Sequence, residues 1–250
     1  IKPAVRSIPW KTFPLKLLNK VLYILVFMLA QTEDLYKANF APLLTRIQKD
    51  FERWSLLNLS LIARVNSVKM NVLPRLSYLF RCIPLFLPQS FFRKLDSLIS
   101  EFIWNQKFPR LQTIFAKAKA TGGLALPNFR FYYWATNIRI LKHWLQYEAL
   151  DPPPAWLVME ASSAKPVTLK ALVYFPIHSS IFPYTKNVIV KTSLRIWVQF
   201  KRHFGLQTYS IYAPLAANHA FPPSLIDSVF LRWTNFGIHN FKDLYMYIYI

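Results

Sequence analysis

Thirteen lysines and arginines lie between residues 60 and 145 against two acids, Asp96 and Glu101, a local charge of +11. The chemistry open to such a set is electrostatic. Each ammonium or guanidinium that neutralises a phosphate releases a counterion, so several together bind a polyanion strongly, in a salt-sensitive and sequence-independent way. Arg64, Lys69, Arg75 and Arg81 follow one another at spacings of five and six. On a helix of 3.6 residues per turn they drift around the surface and lay a curved track, not a straight ridge. A second group, Lys107, Arg110, Lys117 and Lys119, crowds a basic stretch together with Phe108, whose ring is either a stacking contact for a base or a buried anchor. The candidate contacts are therefore Arg64, Lys69, Arg75, Lys107, Arg110, Lys117 and Lys119, each toward a phosphate and none toward a base edge. The whole chain leans the same way, with 31 Lys and Arg against 11 Asp and Glu and a net charge of +20. A polyanionic partner is expected, nucleic acid first and an anionic membrane surface second.

Other chemistries lack their residues. The 11 acids are scattered, with no paired aspartates in an apolar strand-turn-strand pattern of the kind a two-metal polymerase needs. None of the five histidines lies three or four residues from another, and the four glycines form no phosphate loop. Neither an autonomous enzyme nor a bound cofactor or metal is expected. Cys82 is the single cysteine, so no intramolecular disulfide can form, which fits a reducing compartment. It reads as a small buried apolar residue, with a thiol depressed by Arg81 as the weaker alternative.

The elements that must carry these charges are helical. Over 35–57, Phe40, Leu43, Leu44, Ile47, Phe51, Trp54 and Leu57 recur at three- and four-residue steps, the stripe of an amphipathic helix. Ser60 caps a second helix over 60–79, with Ile62, Val65, Val68, Val72, Leu76 and Leu79 on its apolar side and Pro74 set to kink or divide it. Between Pro84 and Pro88 lies the link to a third, 90–104, striped by Phe91, Leu95, Leu98, Ile99, Phe102 and Ile103. Asn128 caps a fourth, whose stripe is Phe129, Tyr132, Tyr133, Thr136, Ile140, Trp144 and Leu145; the aromatics on these stripes read as core. Short links between amphipathic helices predict a mainly α fold, a helical bundle over 33–150. Pro152, Pro153 and Pro154 form a stiff linker at 151–154, and 155–250 is a separate region of α+β or irregular character. It has β-rich runs such as 188–190, a helix-like patch over 193–204, and a strand-like Tyr-Ile alternation at its end.

The chain opens on Ile1, which reads as a piece of a longer product. Residues 1–32 stand apart. They carry Pro3, Pro9 and Pro14 and then an aperiodic apolar run over 21–30, ten residues against the roughly 20 a bilayer span requires. The alternative to a nucleic-acid binder is a membrane-associated basic protein anchored by residues 15–30, its charged surface facing anionic lipid.

The strings R-V-N-S-V-K-M-N-V-L-P-R at 64–75, F-I-W-N at 102–105 and G-G-L-A-L-P-N-F at 122–129 carry a resemblance. They are similar to the region just after the polymerase core in reverse transcriptases of LINE-type non-LTR retrotransposons. The likeness runs more loosely through S-L-R-I-W-V-Q-F-K-R-H-F-G-L and P-L-A-A-N-H-A-F, covering roughly residues 33–244. It implies a thumb, a helical bundle gripping RNA or an RNA-DNA hybrid, followed by a linker region, and an intracellular place in cytoplasm and nucleus. The parent family is an RNA-directed DNA polymerase. Fingers, palm with its paired aspartates, endonuclease and a terminal Cys/His cluster are all missing here, so the fragment is expected to hold nucleic acid without catalysis. Where the family has an F-x-Y-L-G hairpin before D-L-Y-K-A-N-F, this chain has 15–32, whose aperiodicity reads as translation in a shifted frame. The closing Tyr-Ile-Tyr-Ile is what a TA repeat encodes.

Overall fold

In the computed structural model, residues 35–105, 120, 122–175, 185–206, 210–218 and 221–247 are described. A π-helical turn, Tyr36–Phe40, runs directly into α1, Ala41–Ser55, where Pro42 sits in the first turn and its missing N–H costs no bond. Phe40, Leu44, Ile47 and Phe51 are buried along the expected stripe, whereas Leu57 lies beyond the helix end and is exposed. The Ser60 side chain accepts a hydrogen bond from the Ala63 N–H at 3.3 Å and starts α2, Leu61–Ser67.

Pro74 does not break the helical path beyond α2. A π-helical turn, Val68–Val72, leads into α3, Leu73–Cys82, with the Leu73 N–H bonded to the Val68 carbonyl five residues back. A proline inside a helix has no N–H to give and its ring presses on the carbonyl four residues earlier, here that of Met70. The widened turn contains that carbonyl, and helical conformation continues through it from residue 61 to 82. Val65, Val68, Val72, Leu76 and Phe80 stay on the buried side, while Ile62 is exposed.

α4, Gln89–Trp104, buries Phe91, Phe92, Leu95, Ile99, Phe102 and Ile103, and ends at Asn105 in the left-handed conformation, φ 51°. It packs on α1 and α2, most closely where Phe51 stacks on Phe102 with ring centroids 4.5 Å apart. α5, Phe129–Leu145, is capped by Asn128, whose side chain accepts from the Phe131 N–H at 3.2 Å. Tyr133 on α5 pins the link between α3 and α4: its hydroxyl donates to the Leu85 carbonyl at 2.9 Å and accepts from the Leu87 N–H at 3.1 Å.

The stripe expected on α5 is rotated in the structure. Its buried residues are Phe129, Tyr133, Trp134, Asn137, Leu141 and Trp144, and Tyr132 faces solvent. The cause is burial from two sides, by α3 and by α8, Val188–His203. α8 begins where a strand was expected at 188–190, because the Asn187 carboxamide oxygen accepts from both Ile189 and Val190 N–H groups, at 2.9 and 3.3 Å. Lys201, Arg202 and His203 close its last turn, where the helix dipole favours cations.

α6, Ala155–Ser163, and α7, Leu169–Val173, complete a second apolar cluster with Leu141, Trp144, Val190 and Leu194. Residues of α5 and α8 belong to both clusters, and Trp134 Nε1 donates to the Gln199 side chain at 2.9 Å. Residues on both sides of 151–154 share the second cluster, and Pro152–Pro154 lead directly into α6. The remaining described chain carries α9, Pro223–Ile226, α10, Val229–Trp233, and α11, Phe241–Tyr247, tied by an isolated bridge between Pro214 and Asn240. Tyr245 and Tyr247, where the strand-like alternation begins, lie in α11. The fold is mainly α, and no sheet forms among the described residues.

Candidate nucleic-acid interface

Arg64 is turned inward. Its guanidinium lies 5.4 Å from the centroid of the Phe102 ring, with Nε donating to the Leu59 carbonyl at 3.2 Å and one terminal nitrogen to the Phe102 carbonyl at 2.8 Å. The Phe102 carbonyl belongs to the last turn of α4, where its backbone partner is the capping Asn105 N–H at a long 3.4 Å. Arg64 thus staples the start of α2 to the end of α4, and at 6% exposure it has no surface to offer a phosphate. Lys69 is half-buried, and its ammonium donates to the Leu124 carbonyl, tying the link before α5 to the π turn. Arg75 is exposed, but its guanidinium meets Asp50 at 2.6 Å, and Arg53 reaches the same carboxylate at 3.1 Å. Lys107, Arg110, Lys117 and Lys119 lie outside the described residues, as do Phe108 and the stretch 15–30.

Of the four cations on the curved track read from spacing, Arg64, Lys69 and Arg75 are bound to the protein's own oxygens, and Arg81, at the end of α3, is exposed. Cys82, expected in the core, ends α3 exposed and unbonded. Among the described residues no cluster of three or more His, Cys, Asp or Glu side chains could hold a metal ion. Nor is any described helix long and apolar enough to cross a membrane.

Unengaged positive charge is found elsewhere. Arg46 and Lys49 on α1, Arg81 on α3, Arg93 and Lys94 on α4, and Arg139 and Lys142 on α5 are exposed and have no acidic partner among the described residues. The α5 set has the most ordered geometry. Steps of four, three and four put Tyr132, Thr136, Arg139 and His143 along one line of the helix, with Lys142 beside it. The Thr136 hydroxyl turns back to the Tyr132 carbonyl at 2.8 Å, leaving the tyrosine ring, the guanidinium, the ammonium and the imidazole as the groups presented outward. His143 also meets the Trp156 ring edge-on, with centroids 5.6 Å apart.

The opposite side of α5 holds this ridge still. Tyr133, Asn137, Leu141 and Trp144 are buried, and the Trp144 N–H donates to Glu160 at 2.7 Å. Burial pushes the Glu160 carboxyl above its usual range, against the opposing effect of that hydrogen bond. From Tyr132 to Arg139 the ridge spans about 10 Å at 1.5 Å per residue, close to three base steps at 3.4 Å per strand. Such a surface can pair cations with successive phosphates while an aromatic ring stacks on a base. The Tyr132 ring escapes a reading by periodicity, because it falls on the aromatic stripe that reads as core. No family model matches the chain.

Proposed function

We propose that this chain is the thumb-like and adjoining post-thumb part of a LINE-type non-LTR retrotransposon reverse transcriptase, holding RNA or an RNA-DNA hybrid by its phosphates. It does not itself polymerise; the palm and fingers of the parent enzyme would supply catalysis. One observation carries the reading: exposed cations on α1, α3, α4 and α5 stand without acidic partners among the described residues, in a chain of net charge +20. The strings at 64–75, 102–105 and 122–129 support the family assignment, and the bundle of α1 to α5 supports a thumb-like role.

Arg139 and Lys142, with Tyr132 beside them, replace Arg64 and Lys69 as the residues that meet the backbone, and Arg75 stands at the edge with its charge shared by Asp50. The test is fluorescence anisotropy of the full chain with a labelled RNA-DNA hybrid across a salt series. A log-log slope of about −0.7 to −0.9 for each of several phosphate contacts is expected. A flat salt response, or no saturable binding, would overturn the proposal.

A further inference from the structure

A cavity of about 680 Å³ lies between the end of α5, α6, the turn at 165–168 and the segment carrying Ala217 and Leu231. Its walls are mostly apolar, with Trp144, Val158, Ala161, Val167 and Leu231 among them, and no acidic side chain is among the described residues that line it. The size falls within the range of small-molecule sites, which combine an apolar body with a few orienting polar groups. Most polar groups here are already engaged. The Ser162 hydroxyl donates to the Met159 carbonyl at 2.8 Å, the Thr168 hydroxyl accepts from the Ala171 N–H at 3.1 Å, and the Trp144 N–H is held by Glu160. Two lysines remain. Lys170 lies within electrostatic reach of Asp243, whose carboxylate also accepts from the His239 and Asn240 N–H groups. Lys165 lines the cavity, is exposed, and has no bonded partner among the described residues.

From this arrangement we infer a binding site for an amphiphilic monoanion, a long-chain carboxylate whose apolar body fills the cavity and whose head pairs with Lys165. The site is separate from the α5 ridge and does not depend on the nucleic-acid reading. An exposed ammonium on the wall of an apolar pocket selects for a charged head, because an apolar body alone gains no ion pair and an anion alone gains no burial.

The experiment uses the full chain and cis-parinaric acid, a fluorescent polyene carboxylate. Saturable one-to-one binding is expected, displaced by oleate and not by oleyl alcohol at equal concentration. Lys165→Gln should weaken binding by roughly tenfold, the loss of a single charge-assisted contact, with an unchanged thermal melt and circular dichroism spectrum. Ala161→Phe should abolish it by filling the cavity. Equal displacement by the alcohol, full affinity in Lys165→Gln, or undiminished binding in a folded Ala161→Phe would each overturn the inference, as would the lack of saturable binding by the wild-type chain.

Discussion

The α2–α3 segment and the helix α5 both carry cations, yet they use them in opposite ways. On α2 and the π turn, Arg64 and Lys69 stand beside buried Val65 and Val68, so their side chains run over the core and end on backbone carbonyls. On α5, Arg139 and Lys142 project from the side opposite Tyr133, Asn137, Leu141 and Trp144, and reach solvent. Formal charge is therefore a poor guide to a binding surface until it is known which side of each helix is covered. A guanidinium beside the core is taken up by nearby backbone carbonyls; the same group a third of a turn away is available to a partner.

The largest expected effect separates the two uses. Arg64→Met leaves the Leu59 carbonyl without its donor, takes the charged donor from the Phe102 carbonyl, which keeps the Asn105 N–H at 3.4 Å, and removes the contact over the Phe102 ring. It should lower unfolding stability by about 2–3 kcal/mol, since an unsatisfied buried acceptor costs about 1–3 kcal/mol by itself. Urea unfolding reads this directly, and hybrid affinity of the folded variant should stay at the wild-type value. A variant of native stability and weakened binding would place Arg64 on the interface after all.

Tyr132→Ala sharpens the same contrast from the other side. Its ring is outside the core, at 45% exposure, so stability should change little, while loss of base stacking, worth about 1–3 kcal/mol, should weaken hybrid binding by about tenfold. Because a stack releases no counterion, the salt slope should be unchanged. A large drop in melting temperature without loss of affinity would return Tyr132 to the packing role its periodicity suggests.

Lys201 extends the comparison to α8. Its ammonium is buried against the Phe175 carbonyl at 2.6 Å, and burial pulls its pKa down from 10.5 to about 8. Between these values the unfolded chain holds a proton that the folded chain has lost, so this group makes stability rise with pH from about 8 to 10.5. Below pH 8 both states are charged and the burial penalty is fully present. The difference in unfolding free energy between wild type and Lys201→Met should therefore slope across that window and be flat below it. A difference independent of pH would show that the ammonium is solvated in the folded protein.

Legibility in the sequence depends on how each helix is covered. α1, α3 and α4 each bury a face broad enough to leave a clear stripe, and the caps Ser60 and Asn128 act as their chemistry indicates. α5 is packed from two sides, and its stripe was rotated by enough to bury Trp134 and expose Tyr132. The run 188–190 was β-branched and looked like a strand, yet Asn187 ahead of it made it the first turn of a helix. Nothing local to Pro152–Pro154 signals that Gln199 returns to Trp134. Among the candidate contacts, positive charge was legible and direction was not. The destination of Arg64 depends on Phe102, which stands 38 residues further along the chain.

The central claim is that the outward cations of α5 touch phosphates. Its most direct test is the salt dependence of hybrid binding for Arg139→Gln/Lys142→Gln beside wild type, each measured by anisotropy on the full chain. Loss of two phosphate contacts should make the log-log slope shallower by about 1.5, at roughly 0.7–0.9 per contact, with the melting temperature preserved. A slope identical to wild type would contradict the account and leave the α5 ridge a solvated face.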